Sequence, residues 1–186
     1  MATLSTTAWV LHDLGLAAGF GGNLFGQLAL NPAVRAVESK RERGRVTHVA
    51  WSRYKGVNAA SLLAFASTWG IGRLFLSGRE VGRASRNLTL VKDALVGGAF
   101  VAGVGSMIAG TVLDRERQRA GEAPIESGSE PAPETPSRVA GLIRLTSAFG
   151  IASIVLQAAA LATTTVLAMK AGKSAKWKLV AKKLLP

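Results

Sequence analysis

His12 and Asp13 stand side by side near the start of a long apolar stretch, and Asn23 and Gln27 follow within it one helical turn apart. Lipid offers no hydrogen bonds, so amide and ionisable side chains at membrane depth must turn toward other helices or a wet cavity. They are the first places to look for proton or solute chemistry. Arg73 and Lys92 border two further apolar stretches, on the side of the membrane that would also hold Asp13. Their positions predict an ion pair from Asp13 to Lys92 or Arg73. His12 and His48 do not combine into a haem site within one subunit, because a whole span separates them by roughly 25 Å of depth.

The remaining pattern assembles no catalytic set. The chain has no cysteine, hence no thiol nucleophile, thiolate metal site or disulfide, and two histidines are too few for a His-rich metal centre. Neither HExxH nor GxSxG occurs, and no apolar run holds two carboxylates able to share a proton. Gly172-Lys173-Ser174 lacks the glycine five positions earlier that a phosphate-binding loop needs, since Leu167 stands there. Ser61, Ser67, Thr163, Thr164 and Thr165 are expected to bond helix to helix. The expectation is a non-enzymatic protein without catalytic residues, metal or cofactor.

The elements that must position these residues are apolar helices. Of the 186 residues 48% are hydrophobic and 18% charged, against about a quarter charged in soluble domains. Leu14–Val34, Gly56–Gly72, Ala94–Leu113 and Leu145–Met169 carry no charge at all. A hydrocarbon core about 30 Å thick takes roughly 20 helical residues, so each stretch can cross once. The expected fold is all-α, a four-helix transmembrane bundle over residues 1–170, with spans at about 8–31, 54–76, 90–113 and 141–169. Trp9, Trp51, Tyr54, Trp69 and Trp177 fall near span ends, where amphipathic rings favour the headgroup zone. Asn31-Pro32 marks a kink or stop after the first span. Residues 120–137, rich in Pro and Glu, read as a disordered, solvated loop.

Residues 171–186 form a basic tail, expected to be an interfacial amphipathic helix. Trp177 falls on its apolar side, and Lys176, Lys178, Lys182 and Lys183 fall on the other, a pattern that binds anionic lipid headgroups. The whole chain has 23 Lys and Arg against 11 Asp and Glu, a formal net charge of +12. These basic residues divide eleven to eleven between the two sides of the membrane, with Arg144 alone inside a span. The charge therefore points to lipid headgroups on both sides and away from nucleic acid, and it selects neither orientation.

Glycine supplies the most regular spacing. Gly15, Gly19, Gly22 and Gly26 recur at intervals of four, three and four, on one stripe with His12, and Gly98 and Gly105 share a face of the third span with Ala94 and Ala109. Such stripes let another backbone approach closely. They serve packing inside the bundle, docking of other membrane helices by self-association or in a larger complex, or both.

His12 with Gly19, Gly21 and Asn23, in a glycine-rich first span, together with the long loop between Asp114 and Arg138 before a final span, resembles the transmembrane protein two-hundred-and-five family. The resemblance covers the four-span order across nearly the whole chain and implies a multi-pass protein linked to drug tolerance or vesicle traffic. It transfers no catalytic residue. The acidic, proline-rich third loop and the lysine tail depart from that family's pattern. The functional expectation is a multi-pass plasma-membrane protein acting as an accessory or scaffold subunit through its glycine stripes. The alternative is a small oligomeric transporter or permeation component in which Asp13, Asn23 and Gln27 line a polar path.

Overall fold

The computed structural model describes residues 2–73 and 83–184, with side chains at 7–73 and 86–169. Four helices dominate: α1 (Ala2–Phe25), α2 (Lys40–Ile71), α3 (Arg83–Ala120) and α4 (Ser137–Leu184). Each packs on the next, and α4 returns to α1, closing a four-helix ring. The helices run well past the expected spans, α2 beginning at Lys40 and α3 ending at Ala120.

Among the described residues, two helices are long and apolar enough to cross a membrane, over Arg86–Ala120 and Ser137–Met169. Only 28% and 22% of their most apolar windows are buried by the rest of the chain, whereas a helix apolar all round in a soluble protein would be covered. Val101, Ile108, Ile151 and Val155 all face outward. By length and composition two helices qualify where four spans were expected. The charged opening of α2, from Lys40 to Lys55, and the polar residues of α1 dilute the other two. Arg144 is exposed on α4.

Close packing of α1 on α2 follows from the glycine stripe. A methyl group at Gly15 would lie 2.9 Å from the Phe65 nitrogen, and one at Gly19 would lie 2.6 Å from Ser61 Oγ. Tyr54 fills the notch at Gly22, and Trp51 fills the notch at Gly26. On α3, Gly98 and Gly105 receive Leu156 and Phe149 of α4. Leu16, Leu62, Phe65, Val96, Ala99 and Ala160 close the core between the four helices.

The first connection does not stop at Pro32. The chain continues through a π-helical turn (Gly26–Leu30), a helical turn (Asn31–Ala33) and a 3-10 turn (Val34–Ala36). Pro32 stands in the first turn of its segment, where a missing amide donor is tolerated, and the widened turn precedes it. Ser39 then caps α2, its side chain accepting the Glu42 amide at 3.4 Å.

Residues 120–137 are ordered, contrary to the reading from composition. Gly121, at φ +82°, ends α3 in the left-handed region that favours glycine. β1 (Ile125–Ser127) then pairs antiparallel with β2 (Glu130–Pro131). Ile125 is buried in a second apolar cluster with Leu113, Ala123, Val139 and Ile143. The hairpin's acids meet the basic first loop: Arg35 with Glu130 at 2.5 Å, Lys40 with Glu126 at 2.6 Å and Glu134 at 3.2 Å, and Arg43 with Glu126 at 3.3 Å. The Gly128 amide donates to the Asn31 carbonyl at 2.9 Å. Local composition cannot reveal this, because the stabilising partners lie some ninety residues away in the chain.

Two predictions follow from this packing. Gly22→Ala drives a methyl group into the Tyr54 ring, an overpacking that costs about 1–3 kcal/mol. Gly21→Ala meets nothing within 4 Å and gains helix propensity. Thermal unfolding in detergent micelles should place Gly22→Ala below the parent and Gly21→Ala at or above it.

The second concerns the hairpin. A backbone hydrogen bond at its own residue, and then Lys40, hold the Glu134 carboxyl below its ordinary pKa, while Glu126 and then Glu134 raise that of Lys40. The depressed carboxyl contributes stability above its ordinary pKa and loses it as pH falls through the folded value. The raised amine contributes below its ordinary pKa and loses it only as pH rises through the folded value. Hydrogen-exchange protection of the Gly128 amide should therefore fall on acidification and at high salt. Protection indifferent to both would assign the docking to Ile125 alone.

Candidate functional site

At the end of the bundle where α2 finishes, three rings meet. Trp9 and Trp69 lie 6.4 Å apart between centroids, and His12 lies 6.0 Å from Trp9 and 5.5 Å from Trp69. Lys92 of α3 is fully buried, with Nζ 4.7 Å from the Trp9 centroid and 4.6 Å from the Trp69 centroid. A desolvated cation over an aromatic face gains about 2 kcal/mol. Among the described residues no hydrogen-bond acceptor reaches this nitrogen, and Asp13 and Asp93 act on it through longer-range charge.

The expected ion pair from Asp13 does not form. Arg73 instead reaches Asp93 at 2.9 Å, and Asp13 Oδ1 is buried without a hydrogen-bond partner. His12 takes the inward position, its Nδ1 bonded to the Phe65 carbonyl at 2.9 Å. Adjacent helical residues diverge by about 100°, so Asp13 is turned off that axis. Trp9 and Trp69, expected as headgroup anchors, flank the lysine instead.

From this cluster a succession of polar groups continues along the interior. Ser61 donates to the Gly15 carbonyl at 2.5 Å, and Ser61 and Gln157 both lie against Gly19. Gln157 is fully buried on α4 and donates to Ser153 Oγ at 2.9 Å. One turn before Ser153, Gly150 faces the Gln27 amide nitrogen. Gln27 accepts from Asn31 at 3.1 Å, and Asn31 accepts from the Trp51 indole at 3.0 Å. His12 Nε2, Asn58 Oδ1 and Gln157 Oε1 are buried with no hydrogen-bond partner.

The succession ends in a cavity of about 80 Å³, walled by Asn23, Gln27, Asn31, Ser106, Ser147 and the hairpin's Gly128, among others. A charged network borders it. Asp114 pairs with Lys55 and lies 3.6 Å from His48 Nε2, and His48 Nδ1 meets Glu122 at 2.9 Å. Arg117, almost fully buried, lies 3.5 Å from Glu122 and 3.8 Å from Asp114.

Of the residues singled out by sequence, the structure brings Asn23 and Gln27 to the cavity and His12, Asp13, Arg73 and Lys92 to the opposite end. His48 and His12 are thereby separated, as the haem argument required. The network of His48, Lys55, Asp114, Arg117 and Glu122 was missed, as was the Ser153–Gln157 pair. Gln157, an amide inside an otherwise apolar run, was the available signal. Ser61 does bond helix to helix, whereas Ser67, Thr163, Thr164 and Thr165 bond back to carbonyls of their own helices. The side chains of Trp177, Lys176, Lys178, Lys182 and Lys183 lie outside the described residues.

The lysine clamp can be tested by a double-mutant cycle. Lys92→Met combined with Trp69→Leu should show a coupling of about 1–2 kcal/mol in thermal or denaturant unfolding. Additive effects would detach the lysine from the ring. No family model, no curated protein and no solved structure matches this chain, so its own residues carry the functional argument.

Proposed function

We propose that this chain is a multi-pass plasma-membrane protein with all four helices crossing the bilayer, and that it moves a small polar solute or ion through its interior. The observation that carries this reading is the succession of buried polar groups from His12 through Ser61, Gln157, Ser153 and Gln27 to the cavity, with unpaired atoms at His12 Nε2 and Gln157 Oε1. Purely structural polar groups in a bundle interior pair off with one another. Unpaired acceptors along an interior file are places where water or a polar solute bonds in passing.

An accessory or scaffold role drew its support from the glycine stripes. Gly15, Gly19, Gly22 and Gly26 are occupied by α2 and α4, and Gly98 and Gly105 by α4, so internal packing already accounts for them. Anionic headgroups are the partner proposed for the basic flanks.

Purified protein in liposomes should raise permeability to a small polar solute or ion above that of protein-free vesicles, and Gln157→Leu should lower the increase several-fold while the protein still folds. A panel of ions and neutral solutes with no protein-dependent flux would return the accessory role to first place. The crossing pattern has its own test, made simple by the absence of cysteine. Arg41→Cys and Ser129→Cys should react with a membrane-impermeant maleimide from the same side.

A further inference from the structure

This inference rests on the transport reading and narrows its cargo. We infer that the cargo is a small, uncharged, hydrogen-bonding solute of the urea or polyol class, and that the cavity below Gln27 is its binding site. The basic groups at the cavity, Lys55, His48 and Arg117, each lie within ion-pair distance of Asp114 or Glu122. A charged ligand would have to break these partly buried pairs, leaving an uncompensated charge behind. A neutral ligand leaves them intact.

On the remaining wall, Asn23, Gln27, Ser106 and Ser147 offer amides and hydroxyls, which both donate and accept. Beyond the cavity the file continues with Ser153, Gln157 and Ser61, again neutral groups. Gln157 Oε1, fully buried and without a partner, is an acceptor for a solute N–H or O–H.

At the far end a cation meets a buried like charge, and an anion meets half-buried carboxylates, Asp93 being paired with Arg73. A cation encounters Lys92 between its two indoles, and an anion encounters Asp13 and Asp93. A neutral solute carries no such penalty. Size sets the last limit: about 80 Å³ is well under the roughly 150 Å³ of an engineered cavity that takes benzene, so the ligand has only a few heavy atoms.

Stopped-flow light scattering on proteoliposomes reads uptake of urea and glycerol, and electrical recording on the same protein reads potassium and chloride. Urea or glycerol uptake is expected well above protein-free vesicles, with no potassium or chloride current. Gln157→Leu should lower that uptake about fivefold, the worth of one neutral hydrogen bond. Ser147→Phe, which fills the cavity from its α4 wall, should lower it independently. Ion current without urea or glycerol uptake overturns the neutral cargo and leaves the transport reading standing. Failure of all four probes overturns both, and uptake indifferent to both substitutions overturns the assignment to this cavity.

Discussion

Where Gly15 faces α2 the two backbones approach each other directly, and Ser61 reaches across to the Gly15 carbonyl at 2.5 Å. The same proximity lets His12 bond the Phe65 carbonyl and Tyr54 donate to the Ala18 carbonyl at 3.1 Å. Each such bond ties a polar side chain to a carbonyl already engaged in its own helix, which leaves the helices intact. The interior can therefore hold polar groups without unravelling. It also holds some that have nothing to bond, and the functional reading begins with these. A bulkier residue at Gly19 would displace both Ser61 and Gln157, so the stripe governs the polar file as well as the packing.

Charge organises the loop end in a different way. The first loop is basic and the third acidic, and each neutralises the other across the mouth of the bundle. The ion pairs of Arg35 and Lys40 are open to solvent and screened by salt, so with the half-buried Arg43 they orient the hairpin, while burial of Ile125 anchors it. Below the hairpin, His48, Lys55, Asp114, Arg117 and Glu122 close on one another. A site with its charges paired internally presents amides and hydroxyls to whatever enters.

Much of the architecture was legible in residue order. Long uncharged runs located the cores of the four helices, because helical hydrogen bonding and apolar length are local properties. The stripe at Gly15, Gly19, Gly22 and Gly26 announced a close helix contact, and Asn23 and Gln27 announced an inward polar face. The misreadings share one cause. Residues 120–137 have the composition of a disordered loop, and their order comes from Ile125 and from bases near residue 40. Asp13 was matched to Lys92 by depth in the membrane, but depth does not fix azimuth around a helix, and His12 had taken the inward direction.

The sequence by itself determined an all-helical chain, its outward apolar surface and the small-residue face by which α1 meets a neighbour. Each follows from periodicities a few residues long. Only the tertiary structure decided which neighbour that was, that Lys92 lies between Trp9 and Trp69, that Gln157 joins Ser61 beside Gly19, and that the acidic hairpin covers the cavity. Those facts depend on the rotation and pairing of whole helices. These are set by packing and charge summed over residues more than a hundred positions apart, and no local pattern encodes them.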